Sequence, residues 1–371
     1  MFTLARRGAT AFAVTALVAG GVLSGCGGDD DEKSSGGGGG GGGKIALLLP
    51  ESKTARYESQ DRPNFERKAK ELCADCEIIY SNADQDASKQ QQQAEAAITK
   101  GAKVLVLDPV DAASAGAVVQ RAKQAKIPVI SYDRLITDAD VDYYISFDNE
   151  LVGKLQGETL SDKLKEDGKE NATIVMINGA PTDNNAKLFK QGAKSVFTST
   201  GVKIGKEYDT PDWSPDKAQQ EMEQAITGLG KDGFDAVYAA NDGTAGGAIA
   251  AMKSAGIKPS DQSVTGQDAE LAAIQRILAG DQFMTVYKAI IPEAEAAAEI
   301  AVALVQGKKP SASLVKDKVD NGMKQVPSVL LTPVVVTKDD IKGTIIKDKF
   351  WKSSEVCTAK YASACKEAGI Q

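Results

Sequence analysis

The sequence predicts an α/β protein made of two doubly wound lobes, each a parallel sheet with helices on both faces. Three observations lead there. Short runs rich in Val, Ile and Leu alternate with longer segments whose apolar residues recur at helical spacing. The alternation passes through two successive series. At 371 residues the chain is also longer than one hydrophobic core ordinarily organises, so two domains are expected.

In the first series KIALLLP (44–50), EIIYS (77–81), KVLVLDP (103–109) and IPVISYD (127–133) read as buried strands. The intervening NFERKAKEL, SKQQQQAEAAITKG and DAASAGAVVQRAKQA read as helices with one apolar stripe. Near-continuous apolar runs belong to parallel strands covered from both sides. The second series has strands YYISFDN (143–149), ATIVMING (172–179), VKIGKEYD (202–209), FDAVYAAND (234–242), SVTGQD (263–268) and QFMTVYK (282–288). Its helices are ELVGKLQGETLSDKLKE, NNAKLFKQGAKSVFTS, PDKAQQEMEQAITGL, GTAGGAIAAMKSAG and AELAAIQRILAG. No shift of composition separates the two series, so ordered crossings rather than a flexible linker are expected to join the lobes.

Ahead of the first strand, MFTLARRG supplies positive charge through Arg6 and Arg7, and ATAFAVTALVAGGVL supplies an apolar run. LSGC closes the segment with Leu23, two small residues and Cys26. This order resembles a bacterial lipoprotein signal, which implies cleavage before Cys26 and lipid on its sulfur. The apolar run is short for a bilayer span and carries several glycines. The following GGDDDEKSSGGGGGGGG cannot bury anything and is expected to be a flexible tether. The folded part is then held outside the cytoplasm, at the outer face of the cell membrane.

Four more cysteines, Cys73, Cys76, Cys357 and Cys365, suit a disulfide-permissive compartment. Three pairings are possible, and the short spacings make Cys73 with Cys76 and Cys357 with Cys365 the simplest. CADC follows the helix NFERKAKEL and so sits at a helix C-terminus, where the dipole does not favour a thiolate. A structural bridge is therefore expected rather than a redox pair.

Composition excludes several classes. A net charge of −7 with no basic stripe argues against a nucleic-acid partner. The absence of histidine removes Ser-His and Cys-His nucleophile activation, the HExxH metal site and the commonest general base. No metal or cofactor is expected, and the expectation is a binding protein rather than an enzyme. A phosphate ligand would want a glycine-rich turn after the first strand, which LLLPESKTARYES lacks.

Several strands end in polar residues at their C-terminal tips: YDR, FDN, AAND, TGQD and VYK. In open parallel sheets ligands bind outside the carboxyl ends of the strands, so these tips point toward a common crevice. The groups gathered there are Asp133, Asp148, Asp183 and Asp268, Arg134 and Lys288, and the amides Asn149, Asn185, Asn241 and Gln267, with Trp213 in the loop DTPDWSPD. Carboxylates accept, guanidinium donates and amides do both, the complement of sugar hydroxyls, while an indole suits the apolar C–H faces. The competing reading of Asp133 with Arg134 is a surface ion pair worth at most ~1 kcal/mol. Trp351, in DKFWKS, is assigned to packing.

SYDRLITDADVDYYISFDNELVGKLQG, APTDNNAKLFKQG, ANDGTAGGAIAAMKSAGI, VTGQDAELAAIQRILAGDQFMTVYK and PSVLLTPVVVTKDDIKGTIIKD together resemble the D-xylose-binding proteins of bacterial ABC importers, within the ribose and galactose-binding group. The resemblance runs from about Lys44 to Phe350. It implies the type I periplasmic-binding-protein fold, with three crossings at a hinge, as a monomer closing on one monosaccharide for an ABC permease and its ATPase. It implies an N-terminal lobe of residues 44–150 with 289–326 and a C-terminal lobe of 151–288 with 327–350, after a signal peptide (1–25) and tether (26–43) and before a disulfide-bearing tail (351–371).

By motif position it assigns sugar contacts to Asp133, Arg134, Asp183, Asn185, Asn241, Asp268 and Lys288, with Arg56 beside them. Trp213 and Tyr57 would sandwich the ring, and Asp148 and Asn149 would stand behind the contacting groups. Two departures stand out: RYESQDR carries one residue more than the family pattern, and CADC and the tail fall outside it. The rival expectations are a sensor subunit for a membrane receptor or kinase and, last, a retaining glycosidase.

Overall fold

The computed structural model describes residues 42–169 and 171–370; Cys26, the signal segment and the tether up to residue 41 lie outside the described residues. The strands are Lys44–Leu49 (β1), Glu77–Asn82 (β2), Ala102–Leu107 (β3), Val129–Tyr132 (β4), Tyr143–Phe147 (β5), Thr173–Asn178 (β6), Lys203–Asp209 (β7), Ala236–Ala239 (β8), Ser263–Val264 (β9), Thr285–Tyr287 (β10), Asp317–Asp320 (β11), Gln325–Leu331 (β12) and Val334–Val336 (β13). They form two α/β lobes. One sheet has the order β11-β12-β5-β4-β3-β1-β2, the other β7-β6-β8-β9, with the pair β10-β13 attached to it through a bridge between Gln267 and Val286.

The sheets are mixed rather than parallel throughout, because β11 pairs antiparallel with β12 and β10 antiparallel with β13. The lobe boundary expected at 326 also cuts through a strand. Ser328 to Leu331 of β12 pair with Tyr144 to Phe147 of β5, so the first sheet keeps the chain until Leu331. The apolar run VLLTPVVV reads as continuous, yet Thr332 and Pro333 divide it between the two sheets.

Alternation along β1 shows why both faces are covered. Ile45, Leu47 and Leu49 point into one buried cluster and Ala46 and Leu48 into the other. The covering helices of the first lobe are Arg62–Leu72 (α1), Ala87–Thr99 (α2) and Gly116–Gln124 (α3). Asn149–Glu166 (α4), Asn184–Thr200 (α5), Pro215–Leu229 (α6), Asp242–Ser254 (α7) and Leu271–Ala279 (α8) cover the second, and Ile290–Val305 (α9) returns to the first, packing with Ala294, Ala297 and Ala301 in the cluster of Ile45 and Leu47. Two short helices, Ser353–Val356 (α10) and Ala362–Glu367 (α11), form the tail.

RYESQDR includes a π-helical turn, Tyr57–Asp61, immediately before α1. Such turns recur at functional sites. Cys73 caps the C-terminus of α1 and is bonded to Cys76, and Cys357 is bonded to Cys365.

Candidate functional site

The carboxyl ends of β1, β4, β6, β7, β8, β9 and β10 converge on one small cavity. It is lined by Arg56 and Tyr57 after β1, Asp133 and Arg134 after β4, Asp183 and Asn185 after β6, Trp213 after β7, Asn241 after β8, Asp268 after β9 and Lys288 after β10. All ten residues that the family pattern points to are therefore brought together. Asp148 and Asn149 are not among the lining residues. Asp148 is exposed and caps α4 by accepting from the Leu151 amide at 3.0 Å, while Asn149 stands behind the wall and donates to Asn185 Oδ1 at 3.0 Å.

Asp133 and Arg134 do not pair with each other, and both are buried, which removes the surface ion pair as a reading. Asp133 adopts a left-handed backbone, φ 54°, so two residues adjacent in sequence diverge toward different partners. Arg134 Nε lies 2.9 Å from Asp183 Oδ2 and 3.5 Å from Asp108 Oδ1, and its Nη1 donates to the Pro109 carbonyl at 3.3 Å. Asp133 meets the Arg56 guanidinium directly and stands 3.8 Å from Lys288 Nζ. Arg56 and Lys288 also reach Asp268 Oδ1, at 3.3 and 3.2 Å, so the two cations join carboxylates that belong to opposite lobes.

Other groups in the wall are already engaged with one another. Asp183 caps α5 by accepting from the Asn185 amide at 2.8 Å, and its second oxygen accepts from Trp213 Nε1 at 3.1 Å. It thus fixes the indole and the Arg134 fork at once. Asn185 Nδ2 donates to Asp133 Oδ1 at 2.8 Å. Asn241 Oδ1 caps α7 through the Thr244 amide at 2.9 Å, which leaves its amide nitrogen as the group it can offer a ligand.

Trp213 is seated against a glycine. A Cβ at Gly179 would stand 2.0 Å from the indole, so only a residue without a side chain lets the ring lie there. Asp212 and Trp213 both have positive φ, 61° and 52°, which turns the ring inward from its short loop. Tyr57 lines the same cavity with the Arg56 guanidinium 4.4 Å from its ring centroid.

Three further residues line the cavity: Thr54, Phe189 and Gln267. Gln267 Oε1 is buried with no hydrogen-bond partner among the described residues, an acceptor open to a ligand hydroxyl. Phe189 meets Trp213 edge to face at 6.4 Å. A layer of acids lies behind the wall. Burial pushes Asp108 up to about 8 against the pull of Arg134, and pushes Glu293 up to about 8 against the pull of Arg56. Burial also raises Asp61, which accepts from Tyr132 at 2.6 Å and pairs with Arg56 at 2.8 Å. The strand-tip rule points to Asp108, in KVLVLDP, as much as to Asp133; Asp61 and Glu293 sit on helical segments that read as ordinary polar faces.

Residues 45–309 match the periplasmic binding protein domain family. The chain is 42% identical over 317 residues to the D-xylose-binding periplasmic protein of Escherichia coli K12, covering 84% of this chain and 92% of that protein. It is 34% identical over 328 residues to the multiple sugar-binding periplasmic receptor ChvE of Rhizobium radiobacter, covering 84% and 92%. Among solved structures, an ABC transporter solute binding protein from Clostridium phytofermentans with bound β-D-glucose superposes with a TM-score of 0.76 at 31% identity, covering 84% of this chain and 99% of that one.

Proposed function

The chain belongs to the periplasmic binding protein family, among its extracytoplasmic sugar-binding members, and from that membership we propose that it captures a single neutral aldose, D-xylose foremost, between its lobes for an ABC importer. The observation that carries this reading is the balance of the cavity. Three carboxylates, Asp133, Asp183 and Asp268, face three cations, Arg56, Arg134 and Lys288, beside a flat indole and the free acceptor of Gln267. Such a wall has no net charge to offer an anion or a cation, and it supplies both acceptors and donors to hydroxyls. The ten lining residues named above act as the sugar contacts, Asp183 and Asn185 chiefly by holding their neighbours.

The chain passes between the sheets after Phe147, Tyr287 and Leu331. These three crossings serve as the hinge of a type I fold, and contacts from both lobes favour the closed form. The protein works as a monomer, tethered to the outer face of the membrane through lipid on Cys26. Presentation to a sensor is the second reading, supported by the likeness to a protein described as a receptor.

Specificity follows from the cost of an unmade hydrogen bond, about 1 to 3 kcal/mol for each buried group left unpaired. Titration calorimetry with a panel of aldoses is expected to give saturable 1:1 binding of D-xylose, with pentoses lacking one hydroxyl about fivefold to a hundredfold weaker. Absence of heat with every pentose and hexose defeats the reading.

A further inference from the structure

The tail lies outside the family pattern, yet it touches a strained part of the cavity wall. Asp268 and Ala269 are consecutive non-glycine residues in the left-handed region, at φ 93° and 50°. A β-carbon is disfavoured there and persists only where the surroundings hold it. Four hydrogen bonds do so. The Asp268 amide donates to the Val286 carbonyl at 2.9 Å, the Ala269 amide to Thr285 Oγ1 at 3.2 Å and the Glu270 amide to Asp242 Oδ2 at 3.0 Å. The fourth comes from the tail, where Trp351 Nε1 donates to the Ala269 carbonyl at 2.8 Å. The indole assigned to packing therefore holds the turn that carries a cavity carboxylate.

Its neighbour reaches the rest of the site. Phe350 stands edge to face between Trp351 at 5.6 Å and Tyr287 at 5.1 Å, the residue directly before Lys288. The Phe350 carbonyl accepts from Gln60 Nε2 at 3.0 Å, and Gln60 belongs to the turn that begins at Tyr57, in the first lobe. Phe350 also shares one buried cluster with Phe147 and Tyr287, against which Leu331 packs, the last residues before the three passages between the sheets. Behind this pair, Gln275 Nε2 donates to the Glu355 carbonyl at 3.1 Å, Val356, Cys365 and Ile370 are buried against Ile274 and Ile277, and the Cys357–Cys365 bond closes α10 onto α11.

We propose that Phe350 and Trp351 are positioning residues of the ligand site, the tail being a brace, closed by Cys357–Cys365, that fixes the Asp268–Ala269 turn and ties it to the Tyr57 turn of the other lobe. The affinity arm of this proposal rests on the sugar-binding reading; the structural arm does not. Loss of the brace frees Asp268 to leave the geometry in which it meets Arg56 and Lys288, so a ligand seated between them loses affinity while the fold survives.

W351F keeps an aromatic ring beside Phe350 and removes the N–H. Amide hydrogen exchange on the chain without sugar is expected to show Ala269 and Glu270 exchanging at least tenfold faster in W351F, with Val237 and Thr265 at wild-type protection. Calorimetry with D-xylose should then show about fivefold weaker binding, the worth of one hydrogen bond. The double variant C357A/C365A, which keeps the indole but unfastens the tail, should change both readouts in the same direction. Unchanged exchange at Ala269 and Glu270, faster exchange spread over the whole second sheet, or affinity within twofold of wild type in both variants overturns the brace. A wild-type chain that binds no aldose defeats the sugar reading, and the exchange comparison still judges the brace.

Discussion

Trp213→Ala is expected to weaken aldose binding by a hundredfold or more and to leave Trp213→Phe within about tenfold of wild type. The indole is buried, seated on Gly179 and anchored through its N–H on Asp183, so it is a rigid plate rather than a mobile side chain. A hundredfold corresponds to about 2.7 kcal/mol. Truncation of a buried tryptophan removes both the stacking surface and its packing, on the order of 3 to 5 kcal/mol in a protein interior. Phenylalanine keeps the flat face and gives up only the donor to Asp183. Calorimetry on both variants, with a thermal melt to confirm folding, reads the difference. Equal affinity of W213A and wild type would mean that no ring lies against this plate.

Arg134→Met is expected to destabilise the fold by about 3 to 5 kcal/mol at pH 8 and by about half a kcal/mol less at pH 5.5. The guanidinium lies between Asp183 and Asp108, with Glu51 Oε1 3.9 Å away, and all of these side chains are buried. Removing it leaves carboxylates with no counter-charge in a site that water does not reach. The pH dependence has a fixed sign. Asp108 is raised in the fold to about 8, above an unfolded value near ~3.9, so its contribution to stability is whole below that value and is lost as pH rises through 8. Without Arg134 the proton is held more tightly still, so Asp108 stays neutral in the variant at both pH values, whereas in the wild type it begins to ionise beside the guanidinium as pH approaches 8. The loss is therefore the larger at pH 8, where that ion pair exists to be lost. Denaturant midpoints at the two pH values measure this. A loss larger at pH 5.5 than at pH 8, or no loss at either, contradicts the arrangement.

The strand tips were legible because burial on both sheet faces writes continuous apolar runs, which stop where the chain leaves the sheet. That rule located Asp133, Asn241, Asp268 and Lys288 from their own residues. Arg56, Tyr57 and the roles within the wall came instead from family likeness. Partners were not legible. Asp133 and Arg134 are neighbours in YDR, and only the positive φ of Asp133, which aspartate tolerates without any mark in sequence, turns one toward Arg56 and the other toward Asp183.

Phe189 illustrates a second limit. Helical spacing shows which face of α5 is buried, not that one buried position ends at a cavity. Glu293, in the first turn of α9, and Asp61, in the π-helical turn, are acids of a kind that usually face water near helix starts, and tertiary assembly alone places them behind Arg56. The end of the first lobe was misplaced for a related reason, since β12 and β13 share one apolar run and differ only in which sheet completes their hydrogen bonds.

The most direct test is a crystal structure grown with D-xylose. The account predicts one pentose ring flat against Trp213, within hydrogen-bond reach of Asp133 from one lobe and of Asn241 and Asp268 from the other. A sugar bound outside this cavity, or held by side chains of a single lobe, contradicts it.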